Sequence, residues 1–210
     1  MEMHSSSLAT RLVESDTRNV TQILAEIEPY RLRVASKLLD MSSSSVDTKI
    51  QETQKFHKAL LLSNTSADQV KVLMEGLGAV EDEDLFEIIQ YIQSHRTFAI
   101  EPLFESIPSE LQLRPAKGLA MAALVCGLHA TNESWKSIIP LVGKELVRKP
   151  STQLAFWPML LWPIRVPLVE ELLSLAEKSD KSLSESTTSA FSLVAAMAQD
   201  DATRYITHSQ

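Results

Sequence analysis

A chain of 210 residues with 44% hydrophobic and 22% charged side chains has the make-up of a folded protein rather than a disordered or fibrous one. At that length it buries roughly 70% of its unfolded surface and needs no disulfide or metal staple. A formal net charge of −7 argues against a surface devoted to nucleic-acid phosphates or a polybasic membrane-surface module, and the single cysteine, Cys126, rules out a disulfide framework or a thiolate metal site.

Only five glycines, among abundant Leu, Ala, Ser and Glu, favour helix over sheet. The first residues, MEMHSSSLAT, have neither a basic n-region nor an apolar h-region, so no secretory signal is read there. The longest apolar runs, 118–128 and 154–164, fall short of the ~18 residues of a membrane span. A soluble, cytoplasmic protein is expected.

A short first helix is predicted over 5–15, with Leu8, Leu12 and Val13 turned inward. Asp16 or Thr17 then caps a helix that runs to Ile27 and stops at Pro29-Tyr30-Arg31, and a return helix follows over 32–41. The serines 42–45 read as a solvated loop. The helix 49–62 is expected to bury Ile50, Phe56, Ala59, Leu60 and Leu62, and Ser66 to cap the helix 67–77, which ends among Gly76 and Gly78. The acidic run Glu81-Asp82-Glu83-Asp84 opens the next helix, where the helix dipole favours negative charge.

Beyond Pro108, the most apolar helix is predicted over 116–128, its alanines allowing close packing and Cys126 sitting as an inert core thiol. Asn132 caps the helix 135–148. In FWPMLLWPIRVP, Pro158 should kink the expected helix or move its start. Trp157 and Trp162 are read there as either core residues or aromatic anchors for a peptide partner. A helix over 184–198 and the start of another after Asp200 close the chain.

One pattern organises these elements. Val20, Ile23, Leu24, Ile27, Arg31 and Leu38 recur without gaps at Leu85, Ile88, Ile89, Ile92, Arg96 and Leu103, an offset of 65 (85 − 20). A third copy, offset by 69 (154 − 85), starts at Leu154 and continues through Trp157, Leu161, Arg165 and Leu172. The apolar positions form one helical stripe, and each copy turns at an arginine. The period is about twice a HEAT or armadillo-type unit. The expected fold is therefore all-α: a single domain over 1–210, an α-solenoid of antiparallel helix pairs. It has three copies of a double unit at about 16–80, 81–149 and 150–210, the last incomplete.

No sequence signature for catalysis stands out. His4, His57, His95, His129 and His208 are scattered without metal-ligand spacing and read as surface or helix-end residues. No nucleophile elbow, phosphate-binding loop or dinucleotide fingerprint occurs, so no cofactor and no enzymatic activity are expected. The one repeated polar feature is Arg31, Arg96 and Arg165, placed to hold an acidic or phosphorylated partner or to brace neighbouring units.

The copies, together with Lys55-Phe56-His57-Lys58-Ala59-Leu60 and the stretch from Ala122-Ala123-Leu124 to Trp135, resemble a HEAT-like region of bacterial multidomain proteins. In that family the region accompanies a serine/threonine kinase domain, often with a formylglycine-generating (sulfatase-modifying) domain. The resemblance spans about 8–207 and implies a scaffold attached to a signalling protein, with a protein or peptide partner that includes a flanking kinase domain. Both catalytic domains are missing from this chain, so neither activity carries over. The function expected is non-catalytic protein–protein binding through Arg31, Arg96, Arg165, Trp157 and Trp162, without nucleic acid or membrane. The alternatives are a HEAT-like DNA glycosylase, which needs a cationic face, and a passive spacer.

Overall fold

The computed structural model describes residues 2–41, 48–62, 67–95, 99–178 and 188–198. Among them every regular element is helical and no strand occurs. The chain divides into two compact units, Met1–Phe98 and Ala99–Gln210, so the division falls inside the middle copy of the sequence pattern, after its first helix.

The first unit holds α1 (Glu2–Glu14), α2 (Val20–Ile27), α3 (Arg31–Asp40), α4 (Thr48–Leu62), α5 (Ala67–Leu77) and α6 (Asp82–His95). α1 packs on α2, α3 and α4 and centres the unit, while α5 lies on α4 and α6 on α2. Leu8, Leu12 and Val13 of α1 are buried, as their spacing predicts. So are Val20, Ile23, Leu24 and Ile27 of α2, and Leu85, Ile88, Ile89 and Ile92 of α6. The stripe read in the first two copies is thus the core-facing stripe of both helices. Three-residue 3-10 turns, Thr17–Asn19 and Glu28–Tyr30, lead into α2 and α3. Asp16 stands at the first of these without a side-chain capping bond.

α4 and α5 approach closely because Gly76 has no side chain. A Cβ built there would lie 2.1 Å from the Phe56 ring. Ile50 does not join the inner face of α4 as predicted. It sits on the first turn of α4 and is exposed, while Leu61 is buried. The acidic residues Asp82, Glu83 and Asp84 do occupy the first turn of α6.

The second unit holds α7 (Glu101–Leu113), α8 (Pro115–Leu128), α9 (Trp135–Leu146), α10 (Trp157–Leu160), α11 (Arg165–Lys178) and a helix over 188–198. α7 packs on α8 and α9, and α11 on α9. Arg114 alone joins α7 to α8, with φ −142° and ψ 74°, so two helices meet with one non-helical residue between them. Gly118 makes this possible: a Cβ there would stand 2.5 Å from the Leu111 nitrogen and 2.7 Å from its Cα. Trp135 opens α9 with its ring edge-on to Phe104 at 5.4 Å, and its Nε1–H donates to the His129 carbonyl at 2.9 Å. Asn132 Oδ1 accepts from the Ser134 amide at 2.9 Å just before that helix.

Pro108 lies inside α7, where packing on α8 outweighs one lost backbone hydrogen bond. Pro158 takes the opening turn of α10, where its missing N–H costs nothing, and leaves a helix of only four residues, Trp157–Leu160. The serines 42–45, Ser66 and the segment after Asp200 lie outside the described residues.

Candidate functional site

The predicted site residues divide between the two units. Arg31 is the first residue of α3, just after the turn Glu28–Tyr30, and its Nη1 lies 3.9 Å from Glu28 Oε1. Arg165 is the first residue of α11, just after the turn Trp162–Ile164, and its guanidinium stacks 4.2 Å from the centre of the half-buried Trp162 ring. Arg96 lies outside the described residues. Trp157 takes the core alternative: it is buried, with Lys149 Nζ 5.2 Å from its ring centre.

The two corners share one register. Arg165 stands 134 positions after Arg31 (165 − 31), and the same offset relates the turn prolines Pro29 and Pro163. It also relates the buried pair Val34 and Leu38 to Leu168 and Leu172. Sequence reasoning missed a second pair. Leu32 and Leu39 of α3 are 87% and 69% exposed, and their equivalents Val166 and Leu173 of α11 are 62% and 38% exposed. Seven residues is two helical turns, so each helix carries a ridge of two aliphatic side chains on its outer side. The signal was present in the sequence, because Leu38-Leu39 and Leu172-Leu173 put two leucines side by side where a stripe accommodates one. At the middle copy's equivalent of Leu39, the residue is Phe104, which is buried.

The polar surroundings of the ridges differ. Around the α3 ridge are Arg33 and Lys37, with Asp40 closing the helix. Beside the α11 ridge stand Glu170 and Glu177, both exposed, and Arg165 opens the helix.

His57, expected at a surface or helix end, is buried in the middle of α4. Its Nδ1 is 3.0 Å from the Leu12 carbonyl, which can only accept, so the proton sits on Nδ1. Nε2 is then the acceptor that faces the Thr17 hydroxyl at 3.4 Å. Burial pushes this imidazole below its ordinary pKa, against the pull of the Leu12 hydrogen bond and the nearby Asp16. The sequence clue was its position between Phe56 and Leu60-Leu61 on an apolar face.

In the second unit Glu110 gathers Arg114 at 2.6 Å and Lys117 at 3.1 Å, with the Lys117 chain almost wholly buried. Desolvation alone would raise the Glu110 pKa, but the hydrogen bonds from Arg114 and Lys117 outweigh it and hold the carboxyl low. The Cys126 thiol is buried, and burial pushes its pKa up to about 12, against a backbone hydrogen bond at Ile164.

A hollow of about 230 Å³ lies beside Pro115, Leu119, Arg148 and Lys149. It is smaller than an ordinary ligand cleft, and Arg148 there already pairs with Glu145 at 2.6 Å. Among the described residues no three His, Cys, Asp or Glu side chains converge to hold a metal ion, and no helix is long and apolar enough to cross a membrane. No family model, curated protein or solved structure matches the chain.

Proposed function

We propose that the chain is a non-catalytic helical scaffold, a solenoid of HEAT-like helix pairs, that binds a protein or peptide partner at the corners opened by Arg31 and Arg165. The observation that carries this reading is the recurrence of an exposed aliphatic pair at one register in two separate helices, Leu32/Leu39 and Val166/Leu173. A single exposed leucine is ordinary on a protein surface, but a ridge repeated at the same register needs a reason. Partner helices recognise such i, i+7 anchors, and each ridge begins beside an arginine. The resemblance to kinase-associated HEAT-like regions adds a flanking kinase domain as one class of partner.

The test is site-directed photo-crosslinking of the intact chain in its native cell. A crosslinker at position 39 or 173 should give a discrete adduct that disappears when Leu32→Asp or Val166→Asp, respectively, is added. A crosslinker at the exposed Glu133 should give none. Absence of any adduct from either ridge overturns the proposal, as does phosphotransfer from ATP and Mg²⁺ by the purified chain.

A further inference from the structure

We infer that one partner of these ridges is a second copy of this chain, the α3 ridge of one molecule seated antiparallel on the α11 ridge of another. The inference rests on the scaffold reading above and specifies it.

Three observations point to this occupant. Both ridges are aliphatic pairs with the same seven-residue spacing, so Leu32 and Leu39 of one helix meet Leu173 and Val166 of the other without a shift in register. The charges around the ridges are opposite, Arg33 and Lys37 on α3 against Glu170 and Glu177 on α11. The end charges then choose the direction. With Leu32 beside Leu173, an antiparallel arrangement brings Asp40 at the end of α3 to Arg165 at the start of α11 and sets Glu170 between Arg33 and Lys37, while Glu177 falls opposite Glu28, one turn from Arg31. A parallel arrangement sets Arg165 beside Arg31 and Arg33 instead. Pairing α3 with α3 would crowd Arg33 and Lys37 of both copies together, and pairing α11 with α11 would do the same with the glutamates.

Each contact joins one α3 ridge to one α11 ridge, so a molecule with one ridge blocked cannot pair with its own kind.

The experiment uses two full-length variants in light scattering and sedimentation. Leu32→Asp with Leu39→Asp blocks the α3 ridge, and Val166→Asp with Leu173→Asp blocks the α11 ridge. The natural chain should grow in mean mass with concentration, less so at high salt. Each blocked variant alone should stay monomeric, its affinity reduced by roughly thirtyfold or more. Mixing the two should give a one-to-one dimer and nothing larger. The second arm tests the charges: Arg33→Glu with Lys37→Glu should weaken association, and adding Glu170→Lys with Glu177→Lys should restore it. Helical circular dichroism confirms that each variant is folded.

The inference is overturned if the natural chain stays monomeric up to roughly 1 mM, the weak end of specific association. It is also overturned if either blocked variant associates alone, if the mixture stays monomeric, or if the charge exchange fails to restore association. A monomeric chain that still gives a crosslinked adduct of another mass would sink this inference and leave the scaffold reading standing.

Discussion

The two compact units fasten their helices by different chemistry. In the first, a neutral imidazole inside the core ties α4 to the end of α1 and to the turn before α2, through His57, Leu12 and Thr17. In the second, α7 and α8 meet backbone to side-chain-free backbone at Gly118, and the nearby polar group is charged, Glu110 with Lys117 and Arg114. A steric fastening fails when atoms are added, and a protonation-dependent one fails when pH changes. The first unit has a steric contact as well, at Gly76, so it is acid rather than added atoms that should tell the two units apart.

The largest effect should come from Gly118→Val. Its Cβ would meet the Leu111 backbone, which cannot rotate away, so α8 must move off α7 at a cost of about 3 kcal/mol or more. Urea unfolding followed by hydrogen exchange should show the loss in the helices of the second unit. Gly76→Ala meets the buried Phe56 side chain, its Cβ included, and should cost about 1–3 kcal/mol in the first unit.

Next in size is the Glu110 network. Glu110→Ala leaves Lys117 buried without its carboxylate and should cost about 2–3 kcal/mol by urea midpoint. Adding Lys117→Met should recover most of that loss, because the chain stays apolar and the stranded charge is gone. A double variant no more stable than Glu110→Ala alone would show that packing, not charge, holds that corner.

Acid should separate the units. The pKa of His57 is lowered on folding, so its neutral form contributes stability that is fully present above the ordinary value of 6.5 and is lost as pH falls below it toward the folded value. Glu110 is also held low, so its contribution persists until pH falls below its ordinary value of 4.5. Asp84, raised by desolvation, acts in the opposite sense and loses its small penalty on acidification near its ordinary 3.8. Amide exchange in α1 and α4 should therefore quicken between pH 7 and 5.5 while α7 and α8 hold. His57→Gln should remove that difference. The smallest effect belongs to Arg11→Ala, whose exposed pair with Glu26 at 2.7 Å should shift the urea midpoint by less than about 1 kcal/mol.

What could be read from the sequence follows the same division. Periodicity located α2, α5 and α6 closely, because each carries an apolar stripe, and the unbroken apolar run after Pro115 located α8. It erred where tertiary contact decided the outcome. His57 was assigned by residue type to the surface, and Ile50 by hydrophobicity to the core, yet their places in α4 reverse both. The arginines of the candidate site were legible as repeated polar corners. The ridges beside them were not, because whether the second leucine of a pair faces outward depends on which neighbours the helix finds.

Cys126 gives the molecule a built-in chemical clock. Its sulfur is the only thiol in the chain, and with a pKa near 12 inside the core it presents almost no thiolate to an alkylating reagent. Labelling therefore waits for α8 to open. The rate at which iodoacetamide consumes this one group times the opening of α8 directly, with no engineered probe and no signal from the other unit.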